Sequence, residues 1–457
     1  MKSSKSEIHS RVHGIPDLHF EDQKLTSYSG LLIFQALFQR IELKEKLRSC
    51  FSHLNLSPIF GHHLVVLWLV VHLLIGFRKL RDRDYYRDDP MVLRMLSVRK
   101  MPDVSTISRT LSSADEDGVG KVRNVMTELV LERLEEERFS RITLDFDGSV
   151  LSTKRHAEGS AIGYNRKKKG ARSYYPLFCT VAQTGQFLDV HYRSGNVHDS
   201  NGSLEFMDQC FHQVRAMDPN AIVESRTDGA FFSEPSLDLM ESHDIEFTVS
   251  VPFERFAELK SKIESRQRWI PIDEQWSYFE DGWKPKCWNQ KFRFLFLRQK
   301  VHRPQKEPLQ LDLFIPRESG YEYKAIVTDK AGCARKILQF HNGRGGQENI
   351  FAEAKTQAQL DYIPMRSRVG NELFCLCALL AHNLTRELQM QTSERDRGTT
   401  EKRSPLWIFQ SLGSIRQKLL HRAGRLTRPQ GTLTLTLNGN EKTREELLGF
   451  LKPLLAA

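Results

Sequence analysis

The sequence has little cysteine, and no two cysteines are spaced as a zinc-binding pair. Its seven cysteines are odd in number, scattered, and without a C-x-x-C motif, so neither a disulfide framework nor a zinc site is indicated. The chain also lacks an apolar leader. Its longest apolar run, 64–77, is interrupted by His72 and is too short to span a bilayer. We therefore expect that the protein is neither secreted nor inserted in a membrane, and that it resides in a reducing cytoplasm.

Acidic residues are in the minority. Lys and Arg number 67 against 57 Asp and Glu, and the sequence pI is about 9.2, which favours a polyanionic partner such as nucleic acid. Part of the excess lies at the C-terminal end, in 405–457. A solvated basic tail would give the same composition, so charge alone does not identify the partner.

The first part of the chain has the periodicity of helices. Apolar and charged residues alternate at helical spacing over 28–140, which predicts a helical N-terminal region. Within it, 102–109 is typical of a capped turn leading into a short helix, with another helix over 121–138. This pair would place Arg109 against DNA as a helix-turn-helix, and ordinary helical packing is the alternative.

From residue 141 the periodicity becomes that of strands. Three consecutive strands are predicted, with the sequences RITLDFDGSVL, YYPLFCTVAQ and FLDVHYRSG. Helices over 203–216 and 234–243 then alternate with further strands, which predicts an α/β fold. A segment rich in Trp, Lys and Arg interrupts this alternation, and we interpret it as an inserted β-rich subdomain.

The predicted organisation has five parts. The polar run 391–404 contains no aliphatic or aromatic residue and is predicted to be a flexible linker. The tail beyond it, with the alternating GTLTLTL, is expected to dock back as a helix and a strand. The parts are a helical DNA-binding region (1–138), the first half of a catalytic domain (139–254), the β-rich insertion (255–320), the second half of the catalytic domain (321–392), and a linker with a basic C-terminal region (393–457).

Two acidic motifs are associated with predicted strands. Alternation places Asp145 and Asp147 on one face of a strand whose other face is apolar, and a buried carboxylate there needs a neutralising partner such as a metal ion. An edge strand with a solvated acidic face is the alternative. Asp228 ends a short apolar strand before a glycine, where sheet enzymes place working groups, although helix caps are also common there.

A third motif combines basic and acidic residues at helical spacing. At about 100° per residue, Arg344, Glu348 and Lys355 fall within a narrow stripe, and His341 lies close to it. A stripe of charged side chains is better suited to binding a metal ion or a phosphate than to packing in a hydrophobic core. Glu353 lies on the opposite side, which disfavours it as the ligand. The alternative is an exposed Arg–Glu pair.

Together these motifs resemble those of the ribonuclease-H-like DDE transposases of bacterial insertion sequences, in the group with a tyrosine, arginine, glutamate and lysine signature. The resemblance covers roughly 30–450, and His341 stands where that signature has tyrosine. Matching segments are Asp147 with the following Gly-Ser, 193–196 (RSGN), 226–231 (RTDGAF), 342–345 (NGRG) and 381–384 (AHNL).

The resemblance implies a function and a site. Asp147, Asp228 and Glu348 would be the catalytic triad and would hold two Mg²⁺ ions, with Mn²⁺ able to substitute. Asp145 is the rival first acid, and Asp147 is preferred because Ser149 follows it at the family's spacing. The fold implied is a ribonuclease-H-like mixed sheet flanked by helices. The activity implied is cut-and-paste transposition, in a bacterial, nucleoid-associated protein that acts as a homodimer on transposon terminal inverted repeats and target DNA.

Several other residues are predicted DNA contacts. By resemblance, Arg344 and Lys355 would contact transposon-end phosphates, with the role of His341 open. Trp288 is the first candidate for a platform that stacks a displaced base, with Trp283 second, and a small core of the insertion is the alternative. The remaining candidates are Arg166 and Lys168, in a basic loop that a solvated turn would explain equally.

Two other functions remain open. One is a structure-specific nuclease with the same catalytic centre but no strand transfer. The other is a catalytically inactive DNA-binding derivative of a transposase.

Overall fold

Helices form the first part of the chain. The computed structural model describes residues 18–21, 23–54, 60–153, 156–163, 165, 168–198, 201–301 and 320–456. After the short strand β1 (Leu25–Thr26) come α1 (Leu31–Arg40), α2 (Leu43–Cys50), α3 (His62–Leu74), α4 (Pro90–Leu96), α5 (Val104–Ser112) and α6 (Glu116–Glu137). The apolar run noted in the sequence is α3, which is buried along most of its length. In the part of the chain that the structure describes, no helix is both long and apolar enough to cross a membrane.

A mixed sheet is the centre of the fold. Its described strands are β2 (Arg141–Gly148), β6 (Leu177–Val181), β7 (Gln186–His191), β8 (Ile222–Thr227), β9 (Glu246–Val251), β10 (Ile270–Pro271), β11 (Trp276–Trp283), β12 (Phe292–Lys300) and β13 (Tyr321–Thr328). They follow the order β10-β11-β12-β13-β9-β8-β2-β6-β7. Strand β8 is parallel to both of its neighbours, β2 and β9, and the other neighbouring pairs are antiparallel. This confirms the predicted α/β class.

Helices cover both faces of this sheet. One face packs on α7 (Ser203–Met217), α8 (Glu234–Ser242) and α9 (Ala257–Glu264), with α6 at the same core. The other face packs on α10 (Ala334–Asn342), α11 (Gly346–Gln357) and α12 (Arg368–Thr392). We call this second face the acidic face, because Asp147 shares it with Phe178, its cross-strand neighbour, whose ring packs against Phe351 of α11.

The segment predicted to be an inserted subdomain does not form a sheet of its own. Strands β11 and β12 pair along eight residues each, and β12 continues onto β13, so they extend the central sheet. Phe279, Phe294 and Phe296 join the same core as α7 and α8. Strands therefore occupy much of this segment, and no separate sheet begins at residue 255 among the described residues. Residues 302–319 lie outside the described part.

The polar run predicted to be a flexible linker is anchored to the protein. Arg403 is 9% exposed and donates two hydrogen bonds to Glu224 of β8, and Arg395 pairs with Glu137 at the end of α6. The prediction failed because composition does not show that these arginines have acidic partners elsewhere in the fold.

The C-terminal tail packs back on the protein through two strands and a helix, where the sequence predicts one strand and one helix. After α13 (Leu412–Ile415), strands β14 (Gly424–Thr427) and β15 (Thr434–Leu437) form a small sheet with β1. The last helix, α14 (Glu441–Ala456), packs on α1 and α12. Another small sheet, of β3 (Leu151–Ser152), β4 (Ala161–Ile162) and β5 (Arg172–Tyr174), follows β2 directly.

Candidate active site

A buried ion pair lies beneath the predicted acids. Asp145 and Arg226 are opposite each other on the parallel strands β2 and β8, and the guanidinium donates Nε to Oδ1 and Nη2 to Oδ2, both at 2.6 Å. Their side chains are 3% and 1% exposed. Burial raises the pKa of Asp145, and the charge of Arg226 opposes that rise. Asp145 therefore has a structural partner.

The same guanidinium connects two further parts of the chain. Its Nη1 donates to the carbonyl oxygens of Phe340, at 3.0 Å, and Lys402, at 2.7 Å. Gly343 lies against this group, because a Cβ there would be 2.3 Å from Nη1 of Arg226 and 2.0 Å from the Lys402 oxygen. Arg226 thus links the sheet to the junction of α10 and α11.

Asp147 and Asp228 lie at the carboxyl ends of these neighbouring strands. Each is two residues beyond the Asp145–Arg226 register position, so both belong to the same sheet face. Adjacent strands are about 4.8 Å apart. Asp228 uses Oδ1 to accept a hydrogen bond from Ala230 N at 3.0 Å, and it is only partly buried. Two carboxylates are thereby presented together at one end of the sheet.

Helix α11 begins beside these acids. Gln347 is buried and donates Nε2 to the carbonyl oxygen of Asp145 at 2.8 Å and to Thr180 Oγ1 at 3.0 Å. Arg344, in the turn before the helix, places Nη1 3.6 Å from Asp147 Oδ2. Glu348 follows in the first turn and is exposed. The helix start is thus tied to the strand that carries Asp147.

The three acids have the chemistry of a divalent-cation site but are not drawn together. Among the described residues, one group of three metal-capable side chains has its ligand atoms within 4.8 Å of one another, namely His53, Asp115 and Asp117. The group of Asp147, Asp228 and Glu348 is wider than this. Carboxylate oxygens are the donors that Mg²⁺ prefers, so these three side chains fit such an ion. Asp147 also already has a cation, Arg344, as its neighbour.

The exposed group near the N-terminal helices has a structural explanation. Asp115 caps α6 by accepting from Gly118 N, and His53 pairs with both Asp115 and Asp117. This group of His53, Asp115 and Asp117 also belongs to a different part of the chain from Asp147, Asp228 and Glu348.

The structure corrects the prediction for His341. Its side chain is 2% exposed, with Nε2 2.9 Å from Ser250 Oγ and Nδ1 3.0 Å from Thr248 Oγ1. Burial, followed by the charges of Lys324 and Arg344, lowers its pKa well below the usual value. A neutral histidine bonded at both nitrogens inside the protein is not available to a DNA phosphate. It instead fixes α10 on β9.

The tryptophans chosen as base platforms are core residues. Trp288 is 8% exposed and packs against Phe232 and Phe292. Trp283 is 7% exposed and donates Nε1 to Glu258. Both belong to the core on the face opposite the acids, so the alternative interpretation of a structural role is the one that the structure supports.

The other predicted DNA contacts are accessible where they are described. Arg109 and Lys168 are exposed, and Lys355 is partly buried on α11. Arg166 lies outside the described residues. Their roles in DNA binding stay predictions.

Sequence reasoning missed the residues that support the acids. In the sequence, Arg226 stands out only as part of the segment RTDGAF, and no pattern singles out Gln347. Glu224, fully buried on β8, accepts from Arg141, Lys330 and Arg403. Burial acts to raise its pKa, but the contacts with Arg403 and Lys330 outweigh this effect and lower the pKa to about 2. A charged residue in a strand with otherwise buried neighbours was the one available signal.

Comparison with known proteins gives a match to one family model and to solved structures. The family model described as Transposase DDE domain group 1 matches residues 16–456. No curated protein matches. A structure titled as a piggyBac transposase synaptic complex with hairpin DNA is 12% identical, with a TM-score of 0.40, over 86% of this chain and 79% of that one. A pre-cleavage Mos1 transpososome is 12% identical, with a TM-score of 0.17, over 37% and 56%. The family match alone supports a conclusion.

Proposed function

The chain belongs to the Transposase DDE domain group 1 family, and we propose that it is a DNA transposase whose working acids are Asp147, Asp228 and Glu348. The observation that carries the proposal is the register of β2 and β8, which brings Asp147 and Asp228 to the carboxyl ends of adjacent parallel strands. We leave Asp145 out of this set because Arg226 donates hydrogen bonds to both of its carboxylate oxygens.

In the proposed mechanism the protein holds a scissile phosphodiester over the acidic face. Arg344, partly exposed beside Asp147, would bind a phosphate of the DNA end, and Lys355 would bind another further along α11. The three carboxylates would hold Mg²⁺, with Mn²⁺ able to substitute, and such ions increase the nucleophilicity of the attacking hydroxyl and stabilise charge on the leaving oxygen. Gln347 would keep Glu348 at the site by anchoring its helix to β2.

The remaining parts of the proposal follow from the family resemblance. Three antiparallel neighbours, β7, β6 and β2, are followed by the parallel strands β8 and β9, which supports a ribonuclease-H-like catalytic domain interrupted by the segment 255–320. We propose cut-and-paste transposition of a bacterial insertion sequence, a homodimer on two terminal inverted repeats, and cytoplasmic, nucleoid-associated action. The N-terminal region would add DNA contacts, including Arg109.

A cleavage and joining assay tests this function. The purified protein is incubated with Mg²⁺, a duplex containing the inverted repeat that flanks its gene, and a plasmid target, and the products are separated on denaturing gels. We expect both nicked and joined products. Asp147→Asn and Glu348→Gln should abolish both, because each removes a carboxylate from the proposed site.

Asp244→Asn is the matched control, because Asp244 is a fully exposed acid just before β9, at the opposite end of that strand. It should retain wild-type cleavage. Cleavage without joining would support the nuclease alternative, and no cleavage by the wild type would support the inactive derivative. Activity that survives Glu348→Gln would contradict the assignment of the third acid.

A further inference from the structure

A lysine on the acidic face, outside the recognised motifs, lies beside the proposed site. Lys324 belongs to β13, the antiparallel neighbour of β9. Its face can be assigned because Ile326, two residues on, packs against α10 on the acidic side of the sheet. Strand β13 runs opposite to β8 and β9, so its beginning is at the sheet end where Asp228 lies. Position and face therefore bring Lys324 toward the proposed site.

The ammonium group is held at the junction before α11. Its Nζ donates to Asn342 Oδ1 at 3.0 Å, and Asn342 is exposed. Among the described residues, Lys324 forms no ion pair with an acid. Burial first, and the charge of Arg344 second, lower its pKa. Arg344 follows Asn342 by two residues, so the two cations lie close enough to repel each other. Asp147 faces Arg344 at 3.6 Å, and an anion shared by Lys324 and Arg344 would relieve their remaining repulsion.

We propose that Lys324, Asn342 and Arg344 form a subsite for one phosphate of the nucleic-acid backbone. The inference rests on the proposed function, which supplies DNA as the partner. An ammonium, an amide and a guanidinium give several donors from two elements, and a phosphate offers acceptors to all of them. Lys324 would then position the DNA strand over the acidic face without taking part in the chemistry.

Salt-dependent DNA binding tests the subsite. A fluorescent duplex of mixed sequence is titrated with full-length protein in EDTA, at salt concentrations from 50 to 200 mM. Loss of one phosphate contact in Lys324→Gln should reduce the slope of log Kd against log salt by about 0.9, so that the affinity difference from wild type changes about 3.5-fold across this range. Lys324→Arg should retain most of the wild-type slope.

Lys262→Gln is the matched control. Lys262 is on α9, which covers the opposite face of the sheet, and it forms an ion pair with Asp281. The slope of log Kd against log salt for Lys262→Gln should therefore equal that of the wild type. Urea unfolding supplies a second measurement. Because Lys324→Gln removes one of two neighbouring cations, its unfolding midpoint should be equal to or higher than that of the wild type even as DNA binding weakens.

The possible outcomes distinguish failure of the proposed subsite from failure of the proposed function on which it rests. A wild type that binds and cleaves DNA, together with a Lys324→Gln slope equal to it, would overturn the subsite alone. The same result follows if Lys262→Gln loses as much slope as Lys324→Gln. A wild type that does not bind the duplex would overturn the proposed function and the subsite with it.

Discussion

The neighbouring acids Asp145 and Asp147 should respond in opposite ways to the same substitution. Asp145→Asn keeps the size of the side chain but leaves Arg226, 1% exposed, without a counter-charge. Breaking a buried ion pair from one side costs about 3–5 kcal/mol of unfolding free energy. Asp147 is 28% exposed, and its contact with Arg344 is 3.6 Å. Asp147→Asn should therefore change the free energy of unfolding by less than about 1 kcal/mol.

Equilibrium urea unfolding, followed by tryptophan fluorescence, and the cleavage assay measure the two effects separately. Asp145→Asn should unfold at lower urea and still cleave DNA at temperatures where it is folded. Asp147→Asn should unfold at the same urea concentration as the wild type and should fail to cleave DNA. Equal destabilisation by the two variants, or cleavage by Asp147→Asn, would refute the division into a structural and a working acid.

A double variant examines the ion pair itself. Asp145→Asn and Arg226→Gln together remove both charges, so their combined cost should be smaller than the sum of the two single costs. Strictly additive costs would show that the two side chains do not stabilise each other in the way that their bidentate geometry indicates.

Three further predictions concern the surroundings of the site. Gly343→Ala should lower the urea midpoint, because its Cβ would be 2.0 Å from the Lys402 oxygen, and a wild-type midpoint would contradict this close approach. Trp288→Ala should cost about 3–5 kcal/mol of stability but leave the salt dependence of DNA binding unchanged, whereas a selective loss of DNA binding would restore it as a base platform. Glu224 has a folded pKa of about 2 against 4.5 ordinarily, so its contribution of about 3 kcal/mol is present above pH 4.5 and is lost as the pH falls toward 2. Arg403→Ala should weaken this acid dependence, which unfolding measured between pH 6 and 2 will show.

Local patterns were sufficient for the elements and for several candidate residues. The alternation of RITLDFDG predicted β2, and the acids at its end were recognised because period-two spacing assigns them to one face. Helical spacing likewise identified Arg344 and Glu348. The helical path from α10 to α11 passes through a tight turn at Gly343–Gly345, which the uniform spacing did not predict.

Burial and partnership depend on parts of the chain that are far apart in sequence. His341, on the predicted phosphate stripe, is buried because β9 supplies Thr248 and Ser250 as partners. Lys324 was overlooked because nothing in its neighbouring sequence relates it to Asn342 or Arg344.

Residue periodicity was therefore enough to predict the α/β class, the strand that carries Asp145 and Asp147, and the helix that carries Glu348, because the periodicity of a strand or a helix is a local property. The two acids of β2 differ in their surroundings, and this difference arises from the tertiary structure. The pairing of β2 with β8 placed Arg226 against Asp145 and left Asp147 beside Asp228. The cost of burying a charge depends on which groups the fold brings within bonding distance, and that information is not contained in the spacing of residues along one strand.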